Sequence, residues 1–274
     1  PPRSTLFPYT TLFRSLINEV PLESYLLGVV GAEMPLSWPD ASLRAQSIVA
    51  RTYALYEKLN ALQNEFDVYD TTSSQVYKGM EEENERVRQI VGETRGMVMF
   101  YQNEIFKAFF HSTCGGGTAN ASKVFGYQDI APLSGRACHY CQDSPHAQWE
   151  AQASLSDFQE LTRGLKLPGP FIGFSPQEKD PHGRVISLQI YFGKGQKSVV
   201  AASILRKQLG YGKLKSTLFE MTPINNGILF KGKGWGHGVG MCQTGAGAMG
   251  KMGLSTHDIL DFYYPGVTLC RLWN

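Results

Sequence analysis

The stretch GVVGAEMPLSWPDASLRAQSIVARTYAL, Gly28 to Leu55, places one carboxylate, Glu33, at the end of an apolar run of small residues and directly before a Met-Pro step. A carboxylate in apolar surroundings is costly unless it is paired, protonated or used. Upstream, Val20 to Met34 is apolar on almost every side and predicts a core helix stopped by Pro35, with Leu22, Tyr25, Leu26, Val29 and Val30 turned inward. Downstream, Pro39 and Asp40 suit a helix start, and a second helix is predicted to about Tyr56. Ala41, Ala45, Ile48, Val49 and Leu55 form its packed face, whereas Arg44, Ser47 and Arg51 share another. Burial, the negative end of its own helix and the lack of an adjacent base all raise the pKa of Glu33, which is what a general acid needs. Arg44 and Arg51 would then stabilise its anion. The same spacing also allows a purely structural pair between Glu33 and one of these arginines.

Composition sets outer bounds. The chain has 274 residues, 42% of them hydrophobic and 18% charged, which suits one large domain or two small ones. A net charge of +2 without any Lys/Arg run argues against a nucleic-acid partner. No apolar run approaches the roughly 20 residues of a membrane span. The opening PPRSTLFPYTTLFRS, Pro1 to Ser15, has no amphipathic period and reads as the translation of a short-read sequencing adapter. It is set aside from fold reasoning, and the expectation is that the natural N-terminus, with any export signal or anchor, is missing.

The remaining chain, 16 to 274, reads as α+β: a helical N-terminal segment packed on mixed or antiparallel sheets, in a single elongated domain with a second lobe. Asp67 to Gly79 has strand-like residues and turn chemistry, and Glu81 to Gly92 is a charged surface helix. Met97 to Tyr101 and Glu104 to Phe110 are predicted as strands joined by a tight Gln102-Asn103 turn. His111 to Ala147 reads as irregular, Ser154 to Gly164 as a short helix, and Leu167 to Gly183 as a Pro/Gly-rich loop, with a loop or lobe boundary near 164–184. Strands follow at Val185 to Phe192, Ser216 to Met221 and Gly227 to Phe230, with a helix at Ala201 to Leu209. Thr244 to Met252 and Thr256 to Tyr263 close the chain as helices.

Two further motifs carry chemistry. In GKGWGHGVGMCQTGAGAMG, Gly232 to Gly250, glycine density permits close backbone approach and leaves His237 and Gln243 as polar outliers. It lacks the lysine and hydroxyl spacing of a phosphate loop, and the alternative is a tight turn with His237 bonded to backbone. In HSTCGGGTA, His111 to Ala119, and CHYCQDSPH, Cys138 to His146, the pair Cys138/Cys141 together with Cys114 and either His146 or His111 has the donors of a structural tetrahedral zinc. A redox pair or simple buried thiols are the alternatives. A cysteine nucleophile, Cys242 near His237 or Cys114 near His111, is a rival chemistry. A two-carboxylate glycosidase is another, with Asp67, Asp70 or Glu23 as the partner of Glu33.

Taken together, PLESYLLGVVGAEMPLSWPDASLRAQSIVARTYAL, SSQVYKG, FFHSTCGGGTANASKVFG and FKGKGWGHGVGMCQTGAGAMGKMGLSTHDILDFYYPGVTL resemble the SpoIID/LytB family, the stage II sporulation protein D and amidase-enhancer proteins of bacteria, from about Val20 to Leu269. The resemblance implies an extracytoplasmic, cell-wall-associated protein acting on peptidoglycan glycan strands, exported or anchored through the missing N-terminus. SpoIID-type members are lytic transglycosylases whose acid is the glutamate of the A-E-M-P block, here Glu33, with no cofactor required for catalysis and stem-peptide-free glycan preferred. His111, Ser112, His237 and Gln243 would line the cleft. The amidase-enhancer branch implies the alternative, a non-catalytic glycan-binding module that stimulates an N-acetylmuramoyl-L-alanine amidase. A cell-wall amidase and a membrane-associated sporulation complex are the implied partners. Some clostridial members bind zinc through a histidine and two cysteines near the Q-V-Y block. This sequence has Tyr69, Thr72, Ser73 and Ser74 there, so that zinc does not carry over. The Cys138/Cys141/His146 cluster is an elaboration found in a subset of the family, and Cys242 stands where serine is common, which argues against a nucleophile.

Overall fold

The computed structural model of the protein describes residues 17–61, 64–82, 84–167 and 169–274; the adapter-like stretch 1–15 lies outside them. Proline punctuation builds the first two elements. Helix α1, Leu22–Glu33, ends where Met34 turns extended ahead of Pro35, and α2, Asp40–Asn60, starts directly after Pro39. Tyr25, Leu26, Val29 and Val30 are buried as expected, while Leu22 is only half-buried. Helix α2 runs one turn past Tyr56, because its last turn is a solvated end that needs no apolar face. The charged helix is α3, Glu85–Glu93, capped by the Asn84 side chain on the Val87 N–H.

Strand β1, Met97–Tyr101, lies between β2, Glu104–Ile105, and β11, Thr268–Arg271, with antiparallel pairing on both sides. Gln102 and Asn103, at φ 52° and 66°, make the expected tight turn. The second strand of that hairpin is shorter than predicted. The Lys107 N–H donates to the Tyr127 hydroxyl instead of a ladder, and β3, Phe110–His111, pairs in parallel with β10, Met241–Cys242. Helix α4, Ala121–Phe125, follows. The 67–79 segment is not a strand either, because its Val76 N–H and Gln75 side chain bond to the two helices rather than to a neighbouring strand. Helices α7, Gln243–Lys251, and α8, Thr256–Tyr263, close the first core against α2, around Met34, Leu43, Ile48, Val49, Met99, Val239, Met241 and Ile259. The small residues of α7 allow this approach: a Cβ on Gly247 would stand 2.6 Å from the Trp38 ring.

A second core comprises β4, Trp149–Ser154; α5, Leu155–Gly164; β5, Phe171–Lys179; β6, Val185–Phe192; β7, Lys197–Ala201; α6, Ala202–Leu209; β8, Phe219–Ile224; and β9, Gly227–Gly232. Its sheets are antiparallel, in the orders β4-β9-β8 and β5-β6-β7. This corrects the boundary expected at 164–184, which lies inside the lobe. Phe171 and Phe174 pack at 5.0 and 5.1 Å from Phe158 in the centre of that core. Leu167 to Gly183 is mostly the edge strand β5, whose Pro176 and register shifts are tolerated because one side has no partner strand among the described residues. The chain enters the lobe at β4 and leaves it after β9.

One buried ion pair ties the first core together. Arg51, fully buried on α2, donates to both carboxylate oxygens of Glu23 on α1 at 3.0 and 2.8 Å and to the Met97 carbonyl at 3.2 Å. Glu23 also accepts from the Gly96 N–H and from Trp273 Nε1. Burial alone would raise the Glu23 pKa, but the hydrogen bonds and charge of Arg51 outweigh it and hold the carboxyl below its ordinary value. Its contribution to stability is therefore present above the unfolded carboxyl pKa and is lost as pH falls through the lowered folded value. Glu23→Gln, which leaves the Arg51 charge buried and unpaired, is expected to cost about 3 kcal/mol in urea unfolding at neutral pH.

Candidate active site

Glu33 is the last residue of α1, half-buried at the helix end where the dipole disfavours a negative charge. Its Oε1 accepts the Val76 N–H at 2.7 Å and its Oε2 accepts Gln243 Nε2 at 3.1 Å. The backbone that aims Val76 is locked by its neighbours. The fully buried Gln75 accepts the Tyr25 hydroxyl at 3.0 Å and donates to the Ala50 carbonyl at 3.3 Å, and Tyr77 stacks on Tyr25 at 5.2 Å. Tyr77 fits there because Gly28 has no side chain; a Cβ would stand 2.6 Å from its ring. Burial raises the Glu33 pKa above the ordinary carboxylate value, and the two hydrogen bonds only partly oppose it.

Among the described residues, the groups that act on Glu33 include no cation. Arg44 bonds to Glu93 and Asp40, and Arg51 to Glu23, so the anticipated arginine face serves other carboxylates. Of the carboxylates considered as its partner, Glu23 is held by the buried Arg51, and Asp67 pairs with Lys58 in an exposed contact at 3.5 Å.

Gln243 reaches Glu33 because the two glycine-rich blocks run side by side. Thr113 and Trp235 exchange backbone hydrogen bonds at 2.9 and 2.8 Å, and the Ala119 N–H donates to the Gly238 carbonyl at 2.8 Å. The Ser112 carbonyl accepts both the N–H and the hydroxyl of Thr244 at 3.0 Å, bracing the first turn of α7. Ser112 Oγ lies 3.3 Å from Thr113 Oγ1. His111 and His237 sit together, rings 5.6 Å apart, and clasp the Val239 peptide: His111 Nδ1 donates to its carbonyl at 3.0 Å, and its N–H donates to His237 Nδ1 at 3.0 Å. Burial holds both imidazoles neutral, His111 at about 3 and His237 well below its ordinary value. Of the two readings left open for His237, the backbone-bonded turn is the one the geometry displays. No cysteine dyad is formed among the described residues: Cys242 Sγ bonds to the Ser112 carbonyl and to the Cys114 and Gly245 N–H groups, Cys114 Sγ to Cys141 Sγ and the Cys138 carbonyl, and neither sulfur has a histidine partner.

The thiol cluster differs from expectation in one member. Cys114, Cys138, Cys141 and Cys242 are all buried, with their four sulfurs within 4.8 Å of one another. His146 lies elsewhere, edge-on to Trp235 at 4.3 Å with Nδ1 3.4 Å from Lys215 Nζ, and His111 is committed to Val239. The fourth position thus belongs to Cys242, about a hundred residues beyond the C-x-x-C, brought in by the β3-β10 pairing. Sequence reasoning also missed Val76, which acts through its backbone and so leaves no residue-type signal.

Residues 14–101 match the family described as Stage II sporulation protein, SpoIID, and residues 141–240 match a domain of unknown function. An uncharacterised protein of Brachyspira hyodysenteriae is 36% identical over 93% of this chain and 68% of its own length. Stage II sporulation protein D of Bacillus subtilis is 30% identical over 95% of this chain and 77% of its own. The amidase enhancer of Bacillus subtilis is 28% identical over 89% of this chain, which spans only 40% of that protein. The chain belongs to the SpoIID/LytB family, and its role is cell-wall related.

A raised folded pKa makes ionisation of Glu33 oppose folding: its contribution to stability is complete below the unfolded carboxyl pKa and is lost as pH rises through the folded value. Glu33→Gln removes that titration, and the Gln243 amide can turn over to accept from the new donor. The melting temperature of the variant relative to wild type is expected to rise as pH is raised above the ordinary glutamate pKa. A difference that stays flat across that range would mean that Glu33 has an ordinary pKa.

Proposed function

We propose that the protein is a lytic transglycosylase that cleaves peptidoglycan glycan strands with Glu33 as both acid and base. The observation that carries this reading is a carboxyl whose pKa burial raises, held through both oxygens by Val76 and Gln243, with no other carboxylate of the described residues among the groups acting on it. Protonated Glu33 gives its proton to the glycosidic oxygen after N-acetylmuramic acid as the C1–O bond breaks. The sugar's own C6 hydroxyl then bonds to C1 and returns a proton to Glu33, closing a 1,6-anhydro ring. No water is activated, so the second carboxylate of ordinary glycosidases has no task. The Val76 and Gln243 donors stabilise the carboxylate between the two transfers. Gln243, beside the acid, is the proposed contact to glycan, and stem-peptide-free strands outside the cytoplasm are the proposed substrate.

The amidase-enhancer relative supports a second reading, in which the same site binds glycan without cutting it and the protein stimulates a cell-wall amidase. Mass spectrometry of purified peptide-free strands separates the two. The chain is expected to generate 1,6-anhydromuramic ends, and Glu33→Gln to lower their rate at least about 100-fold with an unchanged circular dichroism spectrum. Strands left intact by both proteins, together with faster stem-peptide release by an added amidase, would overturn the enzyme reading and establish the enhancer.

A further inference from the structure

The four-thiol cluster sits one residue from the Glu33 partner, in chain positions drawn from three separate segments. Cys114 lies in the loop after β3, Cys138 and Cys141 in the irregular segment before β4, and Cys242 ends β10 and caps α7. Four sulfurs arranged tetrahedrally at zinc-thiolate bond lengths stand about 3.8 Å apart. The observed spread, all within 4.8 Å with Cys114 and Cys141 at 3.2 Å, surrounds one common centre rather than separating into two isolated pairs.

Hydrogen-bond donors converge on the sulfurs. Cys242 Sγ accepts the Cys114 N–H at 3.2 Å and the Gly245 N–H at 3.3 Å, and the Tyr263 hydroxyl lies 3.3 Å from Cys138 Sγ. Such donors orient and stabilise metal-bound sulfur. A second, independent feature points the same way. Arg184, from the second lobe, is almost completely buried, and its Nη2 donates to the Cys114 carbonyl at 3.0 Å. Its Nε and Nη1 have no hydrogen-bond partner among the described residues. Asp180 is the carboxylate whose charge acts on the guanidinium. A buried cation with unpaired donors is costly unless negative charge lies close, and a divalent ion held by four thiolates retains net negative charge.

We propose that Cys114, Cys138, Cys141 and Cys242 bind one thiophilic divalent metal ion, zinc by the all-sulfur donor set, and that Arg184 neutralises the site from the second lobe. With four protein ligands the site is closed and structural. It joins the loop of the HSTCGGG block, the C-x-x-C segment and the start of α7. Because Cys242 and Gln243 are adjacent, the ligand and the hydrogen-bond donor to Glu33 share one backbone unit.

The test is metal analysis of the full chain, purified under reducing conditions and dialysed, with thiol alkylation before and after chelation. One zinc per chain is expected, with only Cys270 alkylated at first and all five cysteines alkylated once zinc is removed in denaturant. Cobalt substitution is expected to give the sulfur-to-metal charge-transfer absorption of a tetrahedral thiolate site. Cys242→Ser is expected to weaken metal retention at least about tenfold, whereas His146→Ala keeps full stoichiometry. Folded, metal-free protein with five alkylatable thiols, or with disulfides among the four, would overturn the proposal. Zinc lost from His146→Ala but kept by Cys242→Ser would return the fourth position to histidine. None of these readouts depends on glycan cleavage, so the metal site and the enzyme reading can fail separately.

Discussion

The two hydrogen bonds on Glu33 constrain everything around them. One donor comes from residue 76 and the other from residue 243, so the carboxyl at the end of α1 is completed only when segments 43 and 210 residues away are both in place. Each supporting feature serves that convergence. Gln75, Tyr25 and Tyr77 hold the Val76 N–H on target, and the pairing of the two glycine-rich blocks delivers the first residue of α7. The histidines contribute by fastening the Val239 peptide while remaining neutral, a positioning task achieved without charge.

Burial and hydrogen bonding act on this carboxyl in opposite directions, and the balance decides its chemistry. Desolvation and the helix end favour the protonated form, while Val76 and Gln243 favour the anion without a full countercharge. A guanidinium in contact would have pulled the pKa down, as Arg51 does to Glu23 only ten residues earlier on the same helix. Two carboxylates on one helix thus take opposite roles, Glu23 as an ionised tie at neutral pH and Glu33 as a group able to hold and release a proton.

Local rules made α1 and α2 legible, because proline positions and apolar periodicity act within a few residues. Glu33 stood out for the same reason, as a lone polar group in an apolar frame. The second lobe was misplaced because its core is aromatic and assembled from distant strands: the Pro/Gly-rich run around Pro176 reads as a loop, yet Phe171 and Phe174 anchor it as an edge strand. Cys242 escaped the thiol cluster because ligand closure is tertiary, whereas His146 is near in sequence and faces Trp235 instead. Arg44 and Arg51 had the right spacing on α2, but acidic partners on α1 and α3 and in the first turn of α2 claimed them.

NMR titration shows directly whether Glu33 is a carboxyl kept protonated beyond the usual range. In protein labelled with carbon-13 at the glutamate carboxyl, the resonance absent from the Glu33→Gln spectrum identifies the group. A midpoint above the ordinary glutamate value is expected, moving higher still when Gln243→Ala removes one stabilising donor. A midpoint at or below the ordinary value would contradict it, leaving Glu33 as a structural carboxylate.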